Sequence, residues 1–564
     1  MTTRTIPDTE SMTVEFKSDR ARLPDSDLLL AVVCLANTDG GDIYLGVEDD
    51  GTVTGLHAVH KDVTTLGALI SNKTSPPVSV RVTAFDELGL RIAKIEVPKS
   101  HRIVATTEGR LQRRRMKIDG TPECVPLLPG DMVTRLGDLG ALDVSAQPLP
   151  EAGLDALDPL ERHRLRAALQ RYTGDRSLTG LEDAELDGAL GITTRHEGRV
   201  CPTVAGLLLL GTEAALRKWV PTHEVAFQVL EGTDVKLNEF FRGPVLRVFE
   251  RIEELFATRN EEHELQVGLF RVRVPTLDAG TFREAVVNAL THRDYARLGA
   301  VHIQWGSDDL VISNPGGFVE GITIENLLVA PPRPRNPLLA DAFKRIGLAE
   351  RTGRGVDKIF AGMLRYGRPQ PNYAQSDATS VTVRLNHSTS DLPFLQLIVE
   401  EEGRIGTSLP VESLIALAEL RDARRVTAAQ VAHAIQRDEA TAKRVLERLL
   451  EAGLVEAQGT TRGRSFILSA KAYRETGAKT AYVRQAGFDG LQQEQMVMKF
   501  ARAQGSVRRA EVAELCRITP KQASSLLGKL VREGQLVMTG TRKTAVYAPT
   551  ETGNPLKMLT KSRL

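Results

Sequence analysis

Hydrophobic and polar residues follow two rhythms over the first 145 residues, and these rhythms predict alternating helices and strands. Apolar positions recur at helical spacing over Ser26–Ala36, and a strand then covers Ile43–Val47 before a turn at Asp50-Gly51. Two further strands are predicted at Ser79–Phe85 and Arg91–Val97. The pattern therefore predicts an N-terminal α/β domain over residues 1–145.

Residues 147–153, which include Pro148 and Pro150, are typical of a linker, and the pattern beyond them again mixes helices and strands. The predicted elements are a helical segment from Pro159 to about Leu190, a buried segment that begins at Thr203, a strand Glu224–Leu230, a helix Val245–Arg259, a buried helix Thr281–His292, strands Ala300–Trp305 and Leu310–Ser313, and a helix Leu338–Ile346. This mixture predicts a second α/β domain over residues 150–385.

From about Leu392 the pattern changes to two similar helical modules, predicted at residues 392–475 and 488–550. Each has two helices: Thr427–Ile435 and Asp438–Ala452 in the first module, Arg509–Cys516 and Lys521–Glu533 in the second. A short polar hairpin with glycine and arginine follows each pair, at Gly459–Arg464 and Gly540–Lys543. This order predicts a helix–turn–helix with a wing, present twice.

The chain has 564 residues, and length alone suggests about three to five domains. The formal net charge of +1 excludes a globally basic surface, so any nucleic-acid-binding surface must be local. The four cysteines lie far apart and form no CxxC pair, which argues against a metal knuckle or a secreted disulfide framework. Because no apolar leader or membrane-length run is present, we expect a cytoplasmic α+β multidomain protein without a membrane partner.

The N-terminal residues contain a candidate metal and phosphate site. Glu10 and Glu15, with Asp49 after the first predicted strand, carry the hard oxygen ligands that divalent cations prefer, and Lys17 could neutralise charge on a scissile phosphate. From spacing alone, a solvated acidic surface is the favoured interpretation.

These residues resemble the Schlafen-type, Alba-like domain. The matching text is Glu10-Ser11, Glu15-Phe16-Lys17, Ala36-Asn37-Thr38, Gly40-Gly41, Leu45-Gly46-Val47, Asp50-Gly51 and Gly55. The resemblance implies a metal-dependent (Mg²⁺ or Mn²⁺) nuclease acting on tRNA-like RNA, with Glu10, Glu15 and Asp49 as metal ligands and Lys17 as a catalytic partner; Asp50 is the alternative to Asp49. The same domain type also occurs in DNA-binding regulators, so a binding function stays open.

A basic run near residue 115 would supply contacts to RNA phosphates, the alternative being a solvated strand edge. Its members are Arg113, Arg114, Arg115 and Lys117.

In the middle domain, Glu284 and Asn288 lie one turn apart on an otherwise apolar helix. Buried polar side chains need partners, which favours a ligand site there. Glycines permit close backbone approach in two turns further along, Asn314-Pro315-Gly316-Gly317 and Gly353-Arg354-Gly355.

Together these motifs resemble the ATP-binding GHKL-like module that follows Schlafen-type domains, and the resemblance covers residues 150–385. It implies an α/β sandwich in which Glu284 orients the attacking water and Asn288 binds the metal. The remaining nucleotide-binding positions would be Asn314, Gly316, Gly317, Gly353 and Gly355. Asn314 replaces the usual adenine-contacting Asp, which puts adenine selectivity in doubt. No GxxxxGK[ST] motif is present, so a helicase motor is not expected.

The second helix of a winged helix lies in the DNA major groove, so basic and polar residues on that helix and its wing are candidate contacts to DNA or RNA. In the second module these are Lys521, Gln522, Arg542 and Lys543. Winged helices also serve as dimerisation or protein-docking modules, and this alternative stays open.

Two functions follow from the sequence. The favoured one is a Schlafen-like endoribonuclease controlled by a nucleotide-binding module and a winged-helix tail, in antiphage defence or stress response. The alternative is a non-catalytic, ATP-responsive DNA-binding transcriptional regulator. Either implies a divalent metal or ATP as cofactor and nucleic acid as partner, and the GHKL resemblance implies a homo-oligomer.

Overall fold

A computed structural model describes residues 5–117, 119–267, 270–349, 353–388, 390–423, 425–459, 464–469, 490–516, 518–540 and 545–550. The chain forms two compact units. The first comprises Met1–Glu261, Pro275–Ile359 and Pro371–Ser388, and the second comprises Glu262–Val274, Phe360–Gln370 and Thr389–Leu564. The architecture is mixed α+β with several small sheets.

The N-terminal segment of the first unit, residues 5–138, alternates strands and helices as its sequence predicts. Its elements are β1 Val14–Lys17, α1 Asp25–Ala36, β2 Gly41–Leu45, α2 Thr64–Lys73, β3 Thr74–Ser75, β4 Arg81–Glu87, β5 Leu90–Val97, β6 Ala105–Thr106, β7 Gln112–Met116, β8 Pro122–Pro126 and α3 Pro129–Asp138.

A four-stranded sheet of order β1-β2-β5-β4 carries this segment, with β1 parallel to β2 and the other pairs antiparallel. One face packs on α1 and α2, where Ile43 and Leu45 meet the apolar side of α1. The other face buries Phe16, Tyr44 and Ile92. Because β1 is the edge strand and side chains alternate along it, its odd-numbered residues lie on the α1 face.

Two motifs that carry the family resemblance have local structural reasons. A Cβ on Gly41 would lie 2.1 Å from the Thr13 carbonyl oxygen, so the close approach of β2 to the start of β1 requires glycine. The Asn37 side-chain amide, which follows α1, donates to the carbonyl oxygens of Val104 (2.7 Å) and Gln112 (3.0 Å). Asn37 therefore links β7 to the C-terminal end of α1 by a side-chain hydrogen bond.

The middle segment of the first unit forms a second α/β layer structure. Its elements before the hairpin of β13 Glu262–Val267 and β14 Phe270–Pro275 are α4 Pro159–Arg171, α5 Asp183–Ala189, β9 Thr193–His196, β10 Arg199–Pro202, α6 Val204–Leu210, α7 Glu213–Trp219, β11 Val225–Glu231, β12 Asp234–Phe241 and α8 Val245–Ala257. After that hairpin come α9 Ala279–His292, β15 Val301–Trp305, β16 Asp309–Pro315, α10 Pro337–Ile346, α11 Gly355–Arg365 and β17 Ser380–Asn386. Helix α11 begins in the first unit, and its residues from Phe360 onward belong to the second.

Five strands form its sheet in the order β12-β11-β15-β16-β17, with β11 parallel to β15 and the other pairs antiparallel. Helix α6 is apolar on all sides and entirely buried, as a helix without a polar face must be. Helices α8 and α9 meet through Phe256 and Phe282, whose rings stack at 4.0 Å.

The stretch predicted as a linker is attached to this segment by its backbone. Leu149 N donates to Pro202 O (2.9 Å) and Val204 N donates to Gln147 O (3.0 Å). The prolines that suggested a linker thus lie in a segment that pairs with the chain around β10, because proline disfavours a helix but not an extended pairing.

The second unit contains two helical groups, each with a small sheet. After the β13–β14 hairpin its elements are α12 Leu392–Ile405, α13 Val411–Ala423, β18 Val426–Thr427, α14 Ala428–Ala434, α15 Glu439–Glu451, β19 Val455–Gln458, β20 Ser465–Leu468, α16 Gly490–Gln504, β21 Val507–Arg508, α17 Arg509–Leu515, α18 Pro520–Arg532, β22 Leu536–Thr539 and β23 Val546–Pro549.

The two three-stranded sheets have the orders β18-β20-β19 and β21-β23-β22. In the second group, Val512, Leu527 and Leu530 form the centre of a core that also includes Leu536 of β22. Both predicted helix pairs are therefore present with antiparallel strands after them, and most of each predicted wing tip lies outside the described residues.

In the part of the chain that the structure describes, no helix is long and apolar enough to span a bilayer.

Candidate functional site

Glu15 lies at the centre of a charged cluster in the N-terminal segment. It occupies β1 on the face that α1 covers, and only 6% of it is exposed. Lys17 Nζ pairs with Glu15 Oε1, and Arg114 Nη1 pairs with Glu15 Oε2. The two cations compensate a carboxylate that burial would otherwise penalise heavily.

Glu10 approaches the same cluster from the chain before β1. Its Oε1 accepts a hydrogen bond from Phe16 N (2.8 Å), and its Oε2 lies 3.9 Å from Arg114 Nη2. Burial raises the pKa of Glu10, and the nearby Glu15 carboxylate raises it further, although the Phe16 bond and the two cations act in the opposite direction. The structure thus brings together Glu10, Glu15 and Lys17.

The basic run separates into one buried residue, Arg114, one half-buried residue, Arg113, and two exposed residues, Arg115 and Lys117. Arg114 is 2% exposed, and it donates from Nε to Ser11 O (2.9 Å) and from Nη2 to Val14 O (2.8 Å). Arg114 is therefore the internal counter-ion of Glu15 and not a surface contact. The half-buried Arg113 pairs with Asp131 at 3.3 Å. The exposed residues are Arg115, which pairs with Glu123 at 2.7 Å, and Lys117.

The acidic residues after β2 do not share one environment. Asp49 is exposed, whereas Glu48 Oε1 accepts hydrogen bonds from Ser18 Oγ (2.8 Å) and Thr54 Oγ1 (2.7 Å). Asp50 accepts from Thr52 N (2.8 Å), and the bonds from Thr52 lower the pKa of Asp50. The Asp50 carboxylate thus stabilises the turn between Asp50 and Thr52.

The charged cluster, as it stands, does not fit a divalent cation. Both carboxylate oxygens of Glu15 are engaged by Lys17 and Arg114, whose two positive charges balance Glu10 and Glu15. Among the described residues, no group of three or more His, Cys, Asp or Glu side chains is placed to hold a metal ion. The predicted metal role of Glu10, Glu15 and Asp49 therefore has no ready-made ligand set in this arrangement.

A buried acid–histidine pair next to β1 escaped the sequence analysis. Asp19 is fully buried and accepts hydrogen bonds from Leu23 N (3.0 Å) and His57 N (2.7 Å), and it lies 2.9 Å from His60 Nδ1. The pair joins the end of β1 to the turn around residue 57, some 40 residues further along the chain. The only signal in the sequence was an aspartate just beyond the Glu15-Phe16-Lys17 motif.

A disulfide also escaped the sequence analysis. Cys34 of α1 and Cys124 of β8 are bonded, with a Cα–Cα distance of 6.0 Å and a sequence separation of 90. Cys124 is the cross-strand partner of Arg114, whose Nη1 lies 3.8 Å from Cys124 Sγ. The remaining cysteines, Cys201 and Cys516, are free and buried.

In the middle segment, α9 places Glu284 against the second predicted glycine turn. Glu284 is 5% exposed, and a Cβ on Gly355 would lie 2.0 Å from its Oε1, so the carboxylate contacts the backbone at the start of α11. Burial raises the pKa of the neighbouring Tyr373, and the Glu284 carboxylate raises it further. Asn288, one turn along α9, is partly buried. Glu284 and Gly355, far apart in sequence, are thus adjacent.

The first predicted glycine turn is covered by the protein's own side chains. Arg335, 4% exposed, donates to Gly317 O (2.8 Å) and to His292 O (3.1 Å). A Cβ on Gly316 would lie 2.9 Å from Asp294 Cβ and 3.2 Å from the Arg335 guanidinium carbon. Burial lowers the pKa of His292 to about 4, and Arg335 acts in the same direction, so His292 is neutral at pH 7.

The other predicted nucleotide-binding residues are also in close protein surroundings. Asn314 is 5% exposed, and a Cβ on Gly353 would lie 2.5 Å from Pro332 Cγ. The glycines of this region therefore make room for protein atoms in the described arrangement.

Helix α3 connects strand β7 with the glycine turn inside the first unit. Arg135 donates to Glu320 (2.9 Å), Thr134 donates to Asp294 (2.7 Å), and Asp138 forms an ion pair with Arg335. Burial raises the pKa of Asp138, opposed by Arg335. The same helix carries the Asp131 that pairs with Arg113 of β7, so α3 contacts both predicted sites.

In the second unit, the predicted contact residues of α18, Lys521 and Gln522, are both exposed, but Gln522 is also engaged in a helix cap. Gln522 Oε1 accepts hydrogen bonds from Thr519 N and Oγ1 (both 2.9 Å) and so caps its own helix. Lys521 is exposed and directed away from the core. Arg542 and Lys543 lie outside the described residues.

Comparison with known proteins gives these sites a context. Residues 10–119 match the family model described as "Schlafen, AlbA_2". The N-terminal segment is Schlafen-like. The match includes Glu10, Glu15 and the basic run of β7, but it ends before Cys124.

Three other stretches match family models. Residues 299–385 match "Putative ATP-dependent DNA helicase recG C-terminal", residues 138–226 match "Domain of unknown function (DUF8451)", and residues 406–558 match "DNA glycosylase AlkZ-like". The first of these includes the Gly316–Gly317 turn but begins after Glu284 and Asn288. The chain thus combines a Schlafen-type domain with an ATPase-like module, and the set of matches indicates a nucleic-acid-related function.

No curated protein matches this chain significantly. Among solved structures, the crystal structure of the DIP2311 protein from Corynebacterium diphtheriae is similar over 96% of this chain and 95% of its own, with 23% identity and a TM-score of 0.49.

Proposed function

We propose that this protein binds RNA through the outward basic face of the β7–β8 hairpin. The single observation that carries this proposal is the exposure of Arg115 on β7 and of Lys117 just beyond that strand, both in the Schlafen-like segment. A row of basic side chains on one face of a strand follows a nucleic-acid backbone by phosphate contacts. The charged cluster beneath it fixes the hairpin to β1.

Cleavage of tRNA-like RNA is the second candidate function. The convergence of Glu10, Glu15 and Lys17, together with the raised pKa of Glu10, favours it, because perturbed carboxyls concentrate at catalytic sites. In the described arrangement the oxygens of Glu15 are engaged, so a metal-dependent reaction requires Arg114 or Lys17 to leave them first.

The other parts of the proposal rest on the remaining segments. ATP bound beside Glu284 and Asn288 would control the N-terminal segment, and the exposed face of α18 would contact DNA or RNA. The proposed setting is cytoplasmic, in antiphage defence or stress response, with the protein acting as a homo-oligomer. The alternative of a non-catalytic transcriptional regulator shares the binding surfaces and omits the cleavage.

A binding experiment tests the hairpin. The variant Arg115→Ala/Lys117→Ala should weaken the affinity for a fluorescently labelled RNA hairpin, measured by anisotropy over a range of salt concentrations. The salt slope of binding should fall by about 1 for each phosphate that the variant no longer neutralises. The control, Arg81→Ala/Arg91→Ala, removes the same charge from β4 and β5 of the same segment. An equal weakening in both variants would show that only net charge matters, and the proposed surface would be rejected.

A cleavage experiment tests the second candidate. Purified protein is incubated with total tRNA and Mg²⁺ or Mn²⁺, with and without ATP, beside the Glu10→Gln/Glu15→Gln variant. Cleavage by the wild type alone, with RNA binding retained by the variant, would support the nuclease. Intact RNA under every condition, with ATP-dependent DNA mobility shifts, would favour the regulator.

A further inference from the structure

The Cys34–Cys124 disulfide lies directly behind the proposed RNA-binding face. Cys124 and Arg114 are paired across the β7–β8 ladder, and the next pair along is Glu123 with Arg115. The bond therefore attaches the outer strand β8 to α1 next to the exposed Arg115. The charged cluster attaches the inner strand β7 at the same level through Arg114.

The two strands depend on the disulfide to different degrees. Strand β7 has further attachments, since Arg114 N donates to Thr38 Oγ1 (2.8 Å) and Gln112 O accepts from Asn37 (3.0 Å). Among the described strands, β8 pairs with β7 alone in a two-stranded sheet, and such a hairpin is marginally stable without further packing. Apart from the main chain itself, the disulfide is thus the covalent link that holds β8 to α1.

The two sulfur atoms also differ in their access to a reductant. Cys34 is fully buried within α1, whereas Cys124 is partly exposed on β8. An incoming thiolate therefore reaches the Cys124 sulfur first. The Arg114 guanidinium, 3.8 Å from Cys124 Sγ, stabilises a thiolate that forms there.

We propose that Cys34–Cys124 is a thiol–disulfide exchange site that controls how firmly the basic hairpin is held, and thereby how tightly the N-terminal segment binds RNA. The co-reactant is a dithiol reductant. The RNA part of this inference rests on the proposed function, whereas the exchange and the loosening of β8 do not.

The exchange balances in two steps. A thiolate of the dithiol attacks Cys124 Sγ and forms a mixed disulfide, while the Cys34–Cys124 bond breaks and Cys34 leaves with the electron pair and takes up a proton. The second thiol of the dithiol, as a thiolate, then attacks the first dithiol sulfur, which is bonded to Cys124 Sγ in the mixed disulfide. Cys124 is released as a thiolate and takes up the second proton. The dithiol is oxidised to a disulfide, and the protein gains two electrons and two protons.

The test compares the full-length chain after air oxidation with the same chain in excess dithiothreitol. Alkylation under denaturing, non-reducing conditions followed by peptide mapping should find Cys34 and Cys124 linked in the oxidised protein, and Cys201 alkylated. Reduction should increase amide hydrogen exchange over residues 122–126. It should also weaken the affinity for the labelled RNA hairpin at least threefold.

Two variants separate the site from general effects of reductant. Cys124→Ser should bind RNA like the reduced wild type and should not respond to dithiothreitol. Cys201→Ser, which changes a free buried cysteine of the same unit, should keep the full redox response. If Cys124→Ser does not fold, the comparison of oxidised and reduced wild type still tests the proposal.

The outcomes are distinguishable. Alkylation of both Cys34 and Cys124 in the oxidised protein, or hydrogen exchange over β8 that is unchanged by reduction, would overturn the exchange site. A redox-dependent hairpin in a protein that binds no RNA in either state would support the exchange site and overturn the proposed RNA-binding function.

Discussion

At the scale of single residues, the chemistry of the N-terminal segment depends on charge compensation around Glu15. Of three consecutive arginines, Arg114 alone is buried, and it holds Glu15, Ser11 and Val14 together. Its neighbour Arg113 is half-buried in a pair with Asp131, whereas Arg115 is exposed and pairs with Glu123. An interaction of this kind is costly to break from one side only, because the remaining charge stays buried.

Glu10 gives this cluster a pH dependence. Its pKa is raised above the ordinary 4.5, so the folded protein binds a proton more readily than the unfolded chain does. The stability contributed by protonated Glu10 is therefore complete below pH 4.5 and is lost as the pH rises through the raised pKa.

The variant Glu10→Gln keeps an acceptor for Phe16 N but cannot titrate at this position. Its free energy of unfolding should therefore not include the loss that Glu10 causes as the pH rises. Its free energy of unfolding relative to wild type should increase as the pH rises from 4.5 and then level off. Denaturant titrations at several pH values measure the difference. The control Glu108→Gln changes an exposed carboxylate, so it should follow the wild type at every pH. A Glu10→Gln profile parallel to wild type would contradict the raised pKa.

At the scale of elements, caps and glycines determine where the functional side chains lie. Helix α9 begins at its N-cap residue Asp278, whose Oδ2 accepts from Thr281 N (2.7 Å). One turn further, the same helix places Glu284 against Gly355. The cap therefore supports the position of the carboxylate predicted to act on a nucleotide.

The variant Asp278→Ala should lower the free energy of unfolding by about 1 kcal/mol, because an alanine leaves the first-turn amide of α9 without its side-chain acceptor. Asp278→Asn is the matched control, since asparagine caps equally well and should change stability little. Urea titrations compare the two. Equal destabilisation in both variants would show that the charge of Asp278, and not its capping bond, matters.

At the scale of the whole first unit, α3 ends the N-terminal segment and contacts the ATPase-like segment. Its pair Arg135–Glu320 is largely buried, with side-chain exposures of 11% and 13%. Such a pair is screened less by solvent than a surface pair is. The two segments should therefore unfold together and not as independent bodies.

A double-mutant cycle with Arg135→Ala and Glu320→Ala should give a coupling energy of about 0.5–3 kcal/mol. The exposed pair Lys443–Glu439 of the second unit, at 2.9 Å, serves as the control and should give a clearly smaller value. Chemical denaturation of the full-length variants provides both numbers. A coupling no larger than that of the control pair would remove α3 as a mechanical link.

Sequence alone predicted the elements whose pattern is local. The helix before Asn37, the strands that follow it, the buried helix ending at His292 and the paired helices of the second unit all appear within a few residues of their predicted bounds. Periodicity and capping act over one or two turns, so a single sequence carries them. The motif around Glu10 and Glu15 likewise indicated the Schlafen-like segment.

Only the tertiary structure decided which residues meet across long sequence distances. It placed Arg114 inside and Arg115 outside, bonded Cys34 to Cys124, buried Asp19 against His60, and set Glu284 beside Gly355. None of these contacts has a local signature, because each depends on the packing of elements separated by roughly 40 to 100 residues of chain. Packing also decided that Arg335 covers the Gly316–Gly317 turn. Its guanidinium is held there because the carbonyl oxygens of His292 and Gly317 both accept hydrogen bonds from it.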